Sequence, residues 1–474
     1  MNKFYFTSAI PYVNAAPHIG HAQEFVYSDV IKRYKQLSGF AVKYLCGADE
    51  NGLKIIKAAT AKNMEPQKFT DINQQKFLDL AGKLQIKFDY WQRGTNINHQ
   101  KSSQELWRLC NKNGDIYKKN YKGLYCVGCE TFYTNDELDE NGECYEHKGT
   151  KPDEVVEENY FFRLSKYQKF LEDLIENNKL RIIPEFRKNE ALSFVKKGLE
   201  DFSVSRSKKR AKNWGVEVPD DRDQIIYVWF DALNIYQSGI GFFWKDKLYK
   251  SLWPADLHII GKGILRFHAV YWIAILKSAG LKLPKSIFVH GYLTVDGAKM
   301  SKTLGNVIDP SEIISKYGSD AVRFYLLKEI PSFSDGDFSE RRFKEVYNSD
   351  LANGLGNLIA RTAKLLEINK VKIGKNDIKA FSKEVNSYLS EYKFDQAIKI
   401  IWDKITDLDK YIQDNTPWVE SDKLSAGFWE KLIIGIRQIA FDLQPFIPET
   451  AGKIIRQFEG LSIRSATPLF PRLK

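Results

Sequence analysis

The chain lacks any long apolar run: nothing in its 474 residues approaches the roughly 20 consecutive apolar positions that cross a bilayer. Its first residues, Met1 to Thr7 with a single lysine, lack the charged, apolar and small-residue regions of a secretory leader. A protein that is neither inserted nor exported is expected, hence a cytoplasmic one. Cysteine is scarce as well. Five in a chain of this size, three of them between Cys126 and Cys144, make no disulfide framework and point to a reducing compartment and a metal. Internal repeats and low-complexity segments are absent. Charge is not lopsided, with 71 Lys and Arg against 60 Asp and Glu for a net +11. That balance is compatible with a polyanionic partner without identifying one.

What is present is an ordinary globular composition, 43% hydrophobic and 14% aromatic, which excludes whole-chain disorder. The length exceeds the roughly 250 to 300 residues at which one core stops growing, so two to four domains are expected. Residues 4–7 read as a buried strand, 18–36 as a helix and 41–45 as a second strand that ends in the small polar cluster 46–52 before another helix. Strand, loop, helix, strand predicts an α/β fold with a Rossmann-type parallel sheet. Over 116–222 the pattern breaks into cysteines, acidic turns and the basic stretch 208–212, which reads as an insertion splitting that sheet. Strands are expected again at 224–230, 257–260 and 286–290, with a helix over 265–278. Beyond about residue 350, Phe394, Ala397, Ile398, Ile401, Ile405, Leu408 and Ile412 recur at helical spacing, predicting an all-α bundle. The expected division is 1–115 and 223–293 for the two halves of the sheet domain, 116–222 for the insertion, 294–348 for a linking unit and 349–474 for the bundle.

Pro17-His18-Ile19-Gly20-His21 stands where the first strand gives way to the first helix. Free N–H groups at a helix start bind anions. His18 and His21, three apart, share a face and can donate to phosphate oxygens, while Gly20 leaves room for a flat adenine ring. The bland alternative is a helix start with two surface histidines. Downstream, Ala298-Lys299-Met300-Ser301-Lys302-Thr303 lies among Gly291, Gly297 and Gly305. Two ammonium groups three residues apart can close over the β- and γ-phosphates as pyrophosphate departs. Alone, such a pair is usually solvated surface. A third motif, Cys126 and Cys129 followed by Cys144 and His147, offers three thiolates and an imidazole at tetrahedral zinc spacing. All four positions are protein ligands, so the zinc is expected to be structural; the bland alternative is three buried cysteines and a chance histidine. Cys46 and Cys110 read as packing residues.

The tetrad His18 to His21 and the loop Lys299 to Thr303 together resemble the two hallmarks of class I aminoacyl-tRNA synthetases. The loop departs only at Thr303, where serine is usual and the hydroxyl is kept. Within that class the chain is most similar to the methionyl-tRNA synthetases, over nearly its whole length, through Ala9-Ile10-Pro11-Tyr12, Gly47-Ala48-Asp49-Glu50-Asn51-Gly52, Tyr227-Val228-Trp229-Phe230-Asp231-Ala232-Leu233 and Asp335-Gly336-Asp337-Phe338. The resemblance implies ATP with Mg²⁺, L-methionine and the methionine tRNA as partners. It implies ATP binding by His18, Gly20, His21, Lys299, Ser301 and Lys302, with the two histidines and two lysines catalytic. It implies a side-chain pocket of Ile10, Tyr12, Trp229, Ala232, Leu233, Tyr236 and His268, with Asp49 receiving the ammonium; aromatic rings and aliphatic walls suit a thioether. Singly, Trp229, Tyr236 and His268 also read as core residues. The family's acidic loop often has histidine where this chain has Asn51, which leaves the neighbouring contact open.

The same resemblance puts the zinc knuckle on the connective insertion beside the tRNA acceptor end, and assigns anticodon reading in the bundle to Asn357, Arg361 and Trp418. Asn357 and Arg361 share a helix face, and Trp418 follows Pro417; a packed corner and a solvated arginine are the plain alternatives. A monomer is expected, since little sequence follows the bundle. Three other readings stay open: a synthetase for cysteine, which would need a metal in the pocket itself; a small-molecule adenylyltransferase, which has no use for the bundle; and a catalytically silent tRNA-binding protein, which has no use for both nucleotide motifs. Pockets for branched aliphatic residues separate substrates by only about 1 to 3 kcal/mol per methylene and need a hydrolytic domain, for which the insertion is too short.

Overall fold

The computed structural model describes residues 2–128, 131–133, 137–145, 149–300, 305–372, 374, 378–419 and 424–473, without the side chains of Thr131, Phe132 and Lys299. Alternation of large apolar residues sets the central sheet. In β1 (Lys3–Ser8), Phe4 and Phe6 pack into one cluster and Tyr5 into another, on opposite faces, as a strand buried on both sides requires. The sheet holds six strands, β1, β2 (Ala41–Ala48), β3 (Tyr90–Arg93), β4 (Arg181–Ile183), β5 (Leu257–Gly261) and β6 (Ser286–His290), in the order β3-β2-β1-β5-β6-β4. All neighbours are parallel, with Thr7 beside both Leu45 and His258. The strand order reverses between β1 and β5, and in such sheets the crevice beyond the carboxyl ends at that point receives ligands.

Helix α1 (Ile19–Leu37) covers one face together with C-terminal helices; α2 (Ile97–Lys112), α3 (Val228–Ser238) and Trp272–Ser278 cover the other. The expected strand over 224–230 is corrected here. Asp221–Ile226 is a strand, but it belongs to a small antiparallel sheet, and α3 begins at Val228. A short continuous apolar run does not distinguish a buried strand from a buried helix, and α3 is buried on nearly every side. The expected helix over 265–278 contains a π-helical turn, Phe267–Tyr271, before its α-helical part. Strand β4 comes from within the 116–222 stretch, whose remainder builds antiparallel sheets around Ile116–Cys126 and Asp153–Phe162 and around Asp221–Ile226.

After residue 356 the described residues are helical or irregular, with α4 (Asn357–Ile368), α5 (Phe394–Asn415), Ala426–Leu443 and Pro448–Phe458 among the helices. The heptad-spaced residues of α5 are buried as the periodicity predicts, and they join the same apolar cluster as α1. Arg323 clamps this junction: fully buried, it pairs with Asp29 of α1 at 2.8 Å and donates to the carbonyls of Leu84, Pro445 and Phe446. No described helix is long and apolar enough to cross a membrane.

Candidate active site

Past β1 the chain loops to His18, which caps α1. Its Nδ1 accepts from Gly20 N at 3.1 Å, and His21 Nδ1 accepts from His18 N at 3.1 Å. Each imidazole fills an orphan donor of the first turn, the reciprocal logic of a capping box. Because both Nδ1 atoms accept, a neutral ring carries its proton on Nε2, ready to donate outward. Burial, reinforced by the neighbouring His18, holds His21 well below the usual histidine range. The first turn holds no acidic residue, so no carboxylate of that turn opposes an anion there. A Cβ on Gly20 would stand 3.0 Å from His18 Cε1 and 3.5 Å from Met300 Cε. The lysine loop therefore reaches the helix start, where Ile19 N also donates to Ile308 O at 3.2 Å. Lys299 pairs through its backbone with Thr294; its side chain, Ser301, Lys302 and Thr303 lie outside the described residues.

The end of β2 brings in the acidic cluster. Asp49 N donates to Pro11 O at 2.9 Å and Val13 N to Asp49 O at 3.2 Å, zipping Asp49 against Tyr12. Asp49, Glu50 and Asn51 are all buried. Glu50 is consumed structurally by Arg93 at 2.7 Å and by the Thr95 hydroxyl at 2.6 Å. Asn51 donates to Asp231 Oδ2 at 2.5 Å and to Gly94 O at 3.3 Å, which resolves the contact left open by the sequence.

Of the expected pocket residues, direct contacts join Tyr12 to Trp229 and Tyr236 to His268. Trp229 meets Tyr12 edge-on at 6.3 Å and stacks on Phe267 at 3.9 Å with 8° between the planes. Ala232, Leu233 and Tyr236 follow on α3, all buried. His268 sits in the π-helical turn, a distortion frequent at functional sites, where Tyr236 Oη lies 2.7 Å from His268 Nε2. Burial raises the Tyr236 phenol well above its ordinary value, opposed by a hydrogen bond with the Ile10 backbone. Phe267, His99, Asp231 and the Glu24–His290 pair at 3.0 Å are not marked as site residues by the sequence. Of these, only Asp231 lies inside a motif that the sequence offers.

At the cysteine motif, Cys126 and Cys144 are buried in a small cluster with Tyr133 and Leu138, while Cys129 and His147 lie outside the described residues. Among the described residues no group of three or more His, Cys, Asp or Glu could hold a metal ion. Cys46 and Cys110 are buried, their thiols pushed up to about 12. Far from the crevice in sequence, Asn357 and Arg361 lie on α4, and the Arg361 guanidinium sits 4.7 Å over the half-exposed Trp418 ring while pairing with Asp409 at 3.0 Å.

A family model described as "tRNA synthetases class I (M)" matches residues 4–363. A methionine--tRNA ligase of Thermotoga maritima is 41% identical, the match covering 96% of this chain and 75% of that protein. A methionine--tRNA ligase of Rickettsia felis is 40% identical over 100% of this chain and 94% of its own length. The solved structure of Mycobacterium tuberculosis methionyl-tRNA synthetase in complex with methionyl-adenylate superposes with a TM-score of 0.92 at 38% identity, covering 100% of both chains. Fold, crevice and kinship agree, and the chain belongs to the class I (M) tRNA synthetase family.

Proposed function

We propose that this protein is an ATP-dependent ligase that activates methionine and transfers it to the 3′ end of its tRNA. The observation that carries the reading is the placement, beyond the carboxyl ends of β1 and β2, of a histidine-capped helix start and a buried carboxylate joined by backbone to Tyr12, whose ring meets Trp229, in a member of a family whose relatives bear that name.

ATP binds with its phosphates at the start of α1, on His18, His21 and the backbone around Gly20, clasped by Lys299, Ser301 and Lys302. Mg²⁺ bound with ATP supplies further neutralisation of phosphate charge. Methionine places its ammonium on Asp49 and its thioether among Ile10, Tyr12, Trp229, Ala232, Leu233, Tyr236 and His268. Its carboxylate oxygen attacks the α-phosphorus as the bond to the β-phosphate bridge breaks, and pyrophosphate leaves with the electron pair. The histidines and lysines stabilise that developing charge, so catalysis rests on positioning and electrostatics without an enzyme nucleophile. A ribose hydroxyl at the tRNA 3′ end then attacks the carbonyl carbon, loses its proton and expels AMP.

The remaining assignments form part of the same proposal. Cys126, Cys129, Cys144 and His147 hold one structural zinc; the burial of Cys126 and Cys144 in the same small cluster and the soft donor set suit it. Asn357, Arg361 and Trp418 read the anticodon, by stacking and base-edge hydrogen bonds. The division at 115, 222, 293 and 348, with β4 returning from the insertion to the central sheet, a cytoplasmic location and a monomeric state complete it. The test is exchange of labelled pyrophosphate into ATP in the presence of each of the twenty amino acids. Stimulation by methionine alone is expected; stimulation by cysteine, or by none, overturns the reading.

A further inference from the structure

We infer that Asn51 is a positioning residue that sets the distance between the ammonium-binding carboxylate and the side-chain pocket, and so governs methionine affinity. The inference rests on the reading of Asp49 and α3 given above. Asn51 is buried between them. Its backbone N–H donates to Asp49 Oδ1 at 3.3 Å, and its side-chain amide donates to Asp231 Oδ2 at 2.5 Å and to Gly94 O at 3.3 Å. Asp231 stands in the first turn of α3, two residues after Trp229 and directly before Ala232 and Leu233. One side chain thus ties the acidic loop to the helix that carries the pocket wall.

The anchor on the far side is itself fixed. Asp231 Oδ1 accepts from the Ser103 hydroxyl at 2.8 Å and lies 2.9 Å from His99 Nε2, while His99 Nδ1 meets Ser238 Oγ at 2.7 Å. Asn234 donates to the hydroxyls of Ser102 and Ser103 at 3.0 and 3.1 Å. Helices α2 and α3 are held together by this buried network, so the position of Asp231 is set from behind and Asn51 transmits it to Asp49. An amide suits the place because its two N–H groups reach Asp231 and Gly94 O at once. The lack of a side chain at Gly94 makes the approach possible: a Cβ there would stand 3.3 Å from Asn51 Nδ2. An α-amino acid is gripped at two ends, and loosening this brace disturbs the grip on methionine while leaving the nucleotide end of the crevice as it was.

The test is steady-state pyrophosphate exchange with Asn51→Ala, Asn51→Asp and Asn51→His. The expected result is a KM for methionine raised about tenfold or more by Asn51→Ala and further by Asn51→Asp, which sets a second acceptor against Asp231, with the KM for ATP within about twofold of the parent. Asn51→His restores a donor and brings the KM for methionine back to within about threefold. Should Asn51→Ala not fold, Ser103→Ala, which weakens the anchor behind Asp231 without touching the loop, is expected to raise the same KM in the same direction. An unchanged KM for methionine in the folded variants, or an equal rise in both KM values, overturns the inference while the parent still exchanges with methionine. A parent protein that shows no methionine-dependent exchange overturns the underlying reading instead.

Discussion

Tyr236 and His268 are joined by a hydrogen bond of 2.7 Å between the phenol oxygen and Nε2, and His268 Nδ1 donates in turn to the Ile264 carbonyl at 2.9 Å. With Nδ1 engaged as a donor, the phenol donates to Nε2 and the neutral ring is held in one tautomer. Burial keeps the imidazole at about 4, against the opposing pull of the Ile264 carbonyl. A protonated His268 would lose its acceptor and turn two donors against each other.

That pair has a measurable pH signature. The unfolded chain protonates this histidine near pH 6.5 while the folded one refuses the proton until about pH 4, so its contribution to stability is complete above pH 6.5 and declines as pH falls towards 4. Acidifying from pH 7 to pH 5 costs about 2 kcal/mol through this group. Urea unfolding at both pH values, for the parent and His268→Gln, is expected to show a smaller acid-induced loss in the variant; equal losses contradict the assignment. His21 and His258, both pushed down by burial, act in the same direction and remain in both proteins.

Lys302→Ala addresses the clasp. Met300 reaches Gly20, so the loop starts from the helix it is proposed to cover. The variant is expected to slow pyrophosphate exchange by roughly 10²- to 10³-fold, the usual loss for one donor aimed at developing charge. Methionine binding measured by equilibrium dialysis is expected to stay within about twofold. Equal exchange rates contradict the role.

Gly47→Ala tests the packing that carries Asp49. A Cβ at this position would lie 2.1 Å from Gln92 O of β3 and 3.2 Å from Ile235 Cγ2 of α3, and a strand carbonyl cannot swing aside as a flexible side chain can. A loss of about 2 to 4 kcal/mol is expected, read as a lower urea midpoint. An unchanged midpoint shows that the sheet relaxes more easily than its geometry implies.

These cases show where sequence sufficed. Strands β1, β2, β5 and β6 were legible as short apolar runs bounded by turn residues, and α5 because its apolar residues repeat at helical spacing. The run from Ile225 to Phe230 misleads because six apolar or aromatic residues in a row carry no period, and tertiary burial decides for a helix from Val228. His18, His21, Asp49 and the pocket residues were found through motifs. Their bracing was not: Asn51 stood out only as a departure from the family's acidic loop and Asp231 only as part of a motif, His99 and Ser103 are ordinary polar residues, and only folding shows that the four meet.

Trp418→Ala separates the tRNA end from the chemistry. The ring is 54% exposed with the Arg361 guanidinium stacked 4.7 Å above it, an arrangement able to take an unpaired base. Loss of one stacking contact is expected to lower kcat/KM for tRNA charging about tenfold to hundredfold and to leave amino-acid-dependent exchange untouched. A charging rate equal to the parent's assigns Trp418 to packing alone.

Metal analysis bears on the cysteine motif. Purified protein is expected to hold one zinc per chain, and Cys126→Ser to lose it along with thermal stability, because metal binding energy is folding energy for such a knuckle. Zinc retained in full by the variant contradicts the ligand set.

The account turns on a single arrangement: nucleotide at the start of α1 and amino acid beyond Asp49, in one crevice. A crystal structure of the protein with a non-hydrolysable methionyl-adenylate analogue tests it most directly. The account predicts the phosphate beside His18 and His21, the ammonium on Asp49 and the thioether between Trp229, Tyr236 and His268. Density for the analogue elsewhere, or a methionine side chain directed away from α3, contradicts it.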